Sequence, residues 1–323
     1  MDVAILLLIW KRPNHTKRVI GSIRKVAPKR LYISSDGPIK NDKNNQRLVS
    51  LTRDEVLREI NWECKVFTNF SKENKGCKLA VSKGIDWFFA HENEGIILED
   101  DCLPNTYFYQ YCKILLEKYR SDNRIWAICG NGYQNKNSFS GESYFLSKYV
   151  DVWGWATWKR CWKLYDRDIQ TWGVNRSNNI LKNVFDKKKE FDYWIKIFDK
   201  LYYKREPDTW DYQWQYACFI NSGMSCMPYI NLVENIGFGI GATHTLDIPI
   251  TAELDIKKLG KVEFPLIHPT VFLKSKECDE KLENEFFSGY PIMSIIGFKL
   301  KLKKFLYKLR KIFFNNIKFF SNF

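Results

Sequence analysis

Gly95-Ile96-Ile97-Leu98-Glu99-Asp100-Asp101-Cys102-Leu103-Pro104 is the stretch whose reading decides the fold of this 323-residue chain. The unbroken apolar run Ile96–Leu98 predicts a short strand buried on both faces. It stops at three consecutive carboxylates, and Pro104 is expected to end the strand and open a helix. Adjacent acids repel one another and are costly to hold beside a hydrophobic core unless a cation neutralises them. A hard divalent metal that keeps some of its waters and recruits phosphate oxygens is such a cation. A solvated acidic turn is the plain alternative. Against it, the triplet falls at the carboxyl end of an apparent central strand, where open α/β sheets bind ligands.

Working outward, further strands are predicted at Val3–Ile9, Leu31–Ser35, Glu63–Thr68 and Ile125–Cys129. Helical patterns separate them. Pro13 starts one, with Val19, Ile20, Ile23 and Val26 on its apolar face. Leu48–Ile60 is the second, Gly76 leads into the third, and Tyr107–Tyr119 is the fourth, while the polar stretch Lys40–Arg47 reads as a loop. Strands alternating with helices in this way predict a parallel sheet with right-handed crossovers. After Gly130 the rhythm changes. Asn131–Ser143 is loop-like, and Val152–Trp158 packs three tryptophans around Gly154 before a basic-aromatic helix that runs to Tyr165. Lys187–Lys204 and Thr209–Ile220 read as helices and Met224–Ile230 as a strand. Gly237–Thr245 is a glycine-dense loop holding His244, and residues 246–290 carry few signals.

Hydrophobic residues at 45% and charged residues at 27% mark a globular chain long enough for a large core. Net charge is +14, and eight basic residues with no acid between Lys299 and Lys318 supply more than half of it, so the body is only mildly basic. The nine cysteines are odd in number, and the lack of Cys-x-x-Cys spacing argues against a disulfide framework or a zinc site. They favour a reducing compartment. The apolar run at the start is too short for a signal peptide or a membrane span and is better read as the first strand.

Taken in order, several segments resemble the GT-A sugar-nucleotide glycosyltransferases, closest to the N-acetylglucosaminyltransferase I type and its bacterial relatives. Strand, Glu99-Asp100-Asp101 and a Phe-containing helix look like that family's metal motif. Ile9–Pro13 and Ser35-Asp36-Gly37 resemble its base- and ribose-binding strand ends, with Arg12 and Asp36 the matching polar residues. Gly154-Trp155 is similar to its acceptor-side Gly-Trp segment. Trp210-Asp211, followed by Trp214, resembles the Trp-Asp-Asp-Trp segment that supplies the base, although Tyr212-Gln213 stands here where the family has one acid. Ala242-Thr243-His244 resembles the C-terminal loop that closes on the diphosphate. The resemblance spans roughly residues 3–245 and rests on the shared order of weak motifs.

It implies a GT-A α/β fold with a mostly parallel central sheet flanked by helices. Residues 1–130 would form the nucleotide-sugar half, 131–250 the acceptor half of the same domain, and 251–296 an extension. Mn2+ or Mg2+ would be bound by Asp101 and His244. Arg12, Asp36, Glu99, Asp100 and Trp155 would contact the nucleotide sugar, and Asp211 would be the base of an inverting transfer to a glycan or lipid-linked glycan. Each residue has a plainer reading: Asp36 as a turn residue, Trp155 as core, Asp211 as a helix cap, His244 as a structural histidine. Taken as a helix, residues 297–323 would be basic and amphipathic, suited to an anionic membrane surface. Docking on its own domain is the alternative, and nucleic acid is not expected as a partner. The expected location is therefore cytoplasmic, on the inner face of a membrane. A metal-dependent phosphohydrolase or nuclease, or a non-enzymatic membrane adaptor, are the competing functions.

Overall fold

Five consecutive apolar residues make β1 (Ile5–Ile9), every one of them buried, and the rest of the sheet is laid down on either side of it. The computed structural model describes residues 1–134, 141–237 and 259–284. On one side β1 pairs in parallel with β2 (Arg30–Ser35), which pairs in parallel with the edge strand β3 (Lys65–Phe70). On the other it pairs in parallel with β4 (Glu94–Glu99), with Leu8 opposite Glu99. The crossovers are α1 (Pro13–Arg24), α2 (Lys43–Arg58) and α3 (Cys77–His91). The first starts on Pro13 and buries Val19, Ile20 and Ile23, the apolar face predicted for it.

Three boundaries differ from expectation for identifiable reasons. The polar stretch after Lys40 is the first turn of α2 from Lys43 onward, because the Asp42 side chain accepts from the Asn45 backbone N–H and caps it. Pro104 does not open a helix. It ends the short strand β5 (Cys102–Pro104), and α4 (Thr106–Lys118) starts one residue later behind the Asn105 cap. Lys187–Lys204 forms two pieces, an α-helix at Lys188–Asp199 and a π-helical turn at Lys200–Lys204.

Beyond β4 the sheet departs from a purely parallel order. The strands β6 (Ile125–Cys129), β7 (Tyr144–Ser147), β8 (Trp155–Trp158) and β9 (Met224–Pro228) complete an eight-stranded sheet of order β3-β2-β1-β4-β8-β6-β9-β7. Here β8 lies antiparallel between β4 and β6, with Trp155 opposite Ile97 on one side and Cys129 on the other. Four pairings in this sheet are parallel and three antiparallel, so the α/β, mostly parallel, Rossmann-like architecture is what these residues adopt. The tryptophan-rich stretch is therefore a central strand, which its spacing did not announce. A second, two-stranded ribbon pairs β5 antiparallel with β10 (Val233–Asn235). The remaining helices of the second half used below are α5 (Lys159–Trp162) and the helix Asp211–Ile220.

Near the end of the described chain, the helix Lys276–Leu282 docks on β7, where Ser147 Oγ donates to Asp279 at 2.5 Å. None of the nine cysteines is in a disulfide and seven are buried. No helix among the described residues is long and apolar enough to cross a membrane. The basic segment 297–323 lies outside the described residues.

Candidate functional site

Parallel pairing brings the carboxyl ends of β1, β2 and β4 to one edge of the sheet, and the residues that follow each strand meet there. Glu99 is the last residue of β4. Past it, Asp100 accepts from the Trp10 backbone N–H at 3.2 Å. The Arg12 guanidinium, just beyond β1, donates through Nη1 to Asp100 Oδ1 at 3.1 Å and to Asp101 Oδ2 at 2.5 Å. One cation thus bridges two of the three acids, and neither acid faces bulk water: the Asp100 and Asp101 side chains are 9% and 17% exposed.

The charge does not balance. Burial pushes the Glu99 carboxyl up, and the charges of Asp101, Asp100 and Asp211 add to it, with Arg12 opposing. Burial and Asp101 do the same to Asp100, opposed by Arg12 and the Trp10 N–H. Among the described residues three carboxyl groups meet one guanidinium there, so fully ionised they would leave a surplus of negative charge in a poorly solvated place.

Asp211 comes from the second half as the first residue of the helix Asp211–Ile220, denoted α6 below. Its charge is one of those acting on Glu99. The Cys77 thiol at the start of α3 is pushed up by burial and then by Glu99, Asp211, Asp208 and Asp36. The charges of Glu99 and Asp211 are thus both felt at the start of α3.

The ribbon of β5 and β10 forms the wall next to Asp101. Ile236 N donates to the Asp101 carbonyl at 2.8 Å, and a Cβ on Gly237 would lie 2.3 Å from Asp101 Oδ2. Only glycine allows the chain to pass so close to that carboxylate. The loop to His244 continues from here, but His244 and its neighbours Ala242-Thr243 lie outside the described residues.

Two of the expected contacts take a different form. Trp155 is 1% exposed and packs against Trp210, Trp214 and Trp162 at 5.7, 5.6 and 6.3 Å. It is core beneath the site and has no open face for a sugar. Asp36 stands at the end of β2, half-buried, and its oxygens accept from the backbone N–H groups of Gly37 and Lys75 and from the Asn74 amide at 2.8–3.1 Å. It ties down the loop after β3, and burial still pushes its carboxyl up. Next to it lies a small cavity of about 30 Å³ walled in part by Ser34, Ser35, Lys75 and Lys83.

Sequence reasoning missed Asp208 and Thr209. The Asp208 carboxylate accepts from the Cys77 and Lys78 backbone N–H groups at 2.9 and 3.2 Å, and the Thr209 hydroxyl donates to Asp211 Oδ1. Both directly precede the Trp210-Asp211 pair, and adjacency was the only signal the sequence offered.

Among the described residues no group of three or more His, Cys, Asp or Glu side chains is assembled to hold a metal ion. The donor chemistry still fits a hard cation. Fully ionised, the carboxylates would carry surplus charge, and among the described residues Asp101 Oδ1 has no partner beyond the Cys102 thiol at 3.7 Å. Mg2+ is commonly held by one or two carboxylates together with substrate phosphates rather than by a complete protein cage.

No family model matches the chain, and no curated protein matches its sequence. Among solved structures it is similar to HddC from Yersinia pseudotuberculosis, at 12% identity over 50% of this chain and 80% of that one, with a TM-score of 0.30. A UDP-glucose pyrophosphorylase complexed with UDP-glucose overlaps 51% of this chain and 79% of its own at 9% identity, TM-score 0.32. Mouse xyloside xylosyltransferase 1 overlaps 68% and 81% at 9% identity, TM-score 0.31. None of these three is an N-acetylglucosaminyltransferase. The overlaps are partial, and the site stands on its own residues.

Proposed function

We propose that this protein is a glycosyltransferase that moves a sugar from a nucleotide diphosphate donor to a hydroxyl of a glycan or lipid-linked glycan, with a divalent cation. The observation that carries this reading is the surplus negative charge of Glu99-Asp100-Asp101 at the sheet edge, together with a fourth carboxylate, Asp211, close enough to act on Glu99. Asp101 would hold Mn2+ or Mg2+, with His244 as a second ligand and Glu99 and Asp100 on its waters and the ribose. A cation bound there neutralises the charge that builds on the departing nucleoside diphosphate.

The chain's own residues do the remaining work. Arg12 keeps Asp100 and Asp101 oriented, and Asp36 holds the loop beside the nucleotide. Asp211 takes the proton of the acceptor hydroxyl as its oxygen bonds to the anomeric carbon. The bond from that carbon to the diphosphate breaks on the opposite side, so the configuration inverts. Gln213 is buried and cannot accept a proton as a carboxylate does, which leaves Asp211 as the base in this segment. Membrane attachment through residues 297–323, with the protein on the cytoplasmic face, belongs to the same reading and suits a lipid-linked acceptor.

A thermal-shift screen of nucleotide diphosphate sugars with and without Mn2+ tests it. The expected result is a donor that raises the melting temperature in proportion to its affinity, only with the cation, and only while Asp101 is intact. Stabilisation by a donor that is indifferent to both would sink the cation-dependent mechanism. A phosphohydrolase or nuclease is the less favoured reading, because Asp36, the further acid it would recruit, already has both oxygens engaged.

A further inference from the structure

We infer that Asp208 and Thr209 form a strut that fixes the direction of the Asp211 carboxylate, an inference that rests on Asp211 being the base proposed above. The segment before α6 is fastened at each residue. Asp208 is anchored across the molecule, its two oxygens accepting from the Cys77 and Lys78 N–H groups at 2.9 and 3.2 Å. The start of α3 is shaped to admit it: Gly76 has φ +79°, and a Cβ there would lie 2.6 Å from Asp208 Oδ2. Thr209 N donates to the Pro207 carbonyl at 2.9 Å, making a tight turn. Trp210 is 2% exposed, stacked on Trp155, and its carbonyl accepts from the Tyr165 hydroxyl at 3.3 Å.

Between these two fixed points, the Thr209 hydroxyl donates to Asp211 Oδ1. That bond occupies one carboxylate oxygen and turns the other, Oδ2, to the acceptor proton. Thr209 is a positioning residue. It acts through Asp211, and the acceptor hydroxyl meets a base whose lone pair is already aimed.

The test compares Thr209→Val, Thr209→Ser, Thr209→Ala and Asp211→Asn in the full chain, measuring kcat, acceptor KM, melting temperature and donor-induced stabilisation. Thr209→Val should lower kcat about tenfold or more, the scale on which misorientation acts, with acceptor KM and donor stabilisation unchanged. Thr209→Ser should restore kcat. Thr209→Ala reports the same loss should the valine fail to fold. If kcat of Thr209→Val or Thr209→Ala stays within about twofold of the parent while Asp211→Asn loses about 100-fold or more, the strut is wrong and the base stands. A rise in KM at constant kcat, or no rescue by serine, also overturns the strut. If Asp211→Asn keeps its kcat, the base assignment fails, and the strut fails with it.

Discussion

At Asp151, just before β8, Tyr133 donates to Oδ1 at 2.8 Å, while Oδ2 is shut off from water with no partner among the described residues. Burial pushes this carboxyl up to about 7. An unfolded aspartate releases its proton near pH ~4. Between those values the folded chain binds more protons than the unfolded one, so stability falls as pH rises through the window. Asp279, pushed up to about 6 by burial, acts with the same sign, as do Glu99 and Asp100 without a cation. The melting temperature should therefore drop between pH 5 and 8, and Asp151→Asn should flatten that drop. A parallel curve for the variant would remove Asp151 from the account. Single residues were unevenly legible. Glu99-Asp100-Asp101 stood out because three acids after an apolar run are a local signal. Arg12 gave only its neighbourhood, and its bridge to acids 88 and 89 residues away needed the parallel register. Trp155 stayed open between sugar contact and core because an aromatic beside a glycine reads the same whether it faces a cavity or a core.

Among the elements, β8 was the least legible and has the most consequence. Four residues, Trp-Ala-Thr-Trp, are too short to show a period, and all four are buried, so no polar alternation marks a strand. By contrast, β1, β2 and β4 announced themselves as apolar runs, since strands covered on both faces need no polar residues. Gly154 explains how β8 begins. It has φ +73°, its carbonyl accepts from Gly130 N at 2.8 Å, and a Cβ would meet Val233 Cγ2 at 2.8 Å and Leu98 at 3.4 Å. Gly154→Ala should therefore cost about 1–3 kcal/mol through the strained backbone, with more from the contact to β10. Chemical denaturation should show the midpoint shift at unchanged slope. A neutral result would mean that β10 can move away, and the wall beside Asp101 is then softer than its packing implies.

On the scale of the whole molecule, a tryptophan cluster ties the segment before Asp211 to the central sheet. Trp155 from β8, Trp162 from α5, and Trp210 and Trp214 beside and within α6 lie with ring centroids 5.3–6.3 Å apart. The turn carrying Asp211 thereby rests on the same sheet that carries the acid triplet. Trp155→Ala should cost about 3–5 kcal/mol and lower the melting temperature and activity together. A variant with parental stability and a selective rise in donor KM would restore the sugar-contact role the burial argues against. The insertion of β8 between β4 and β6 also bears on biosynthesis. A growing polypeptide that has emerged only as far as residue 130 has made β4 and β6 but not the strand that joins them, so two raw edges wait for some thirty more residues to leave the ribosome. Pausing translation in that interval is when this chain is most exposed to self-association.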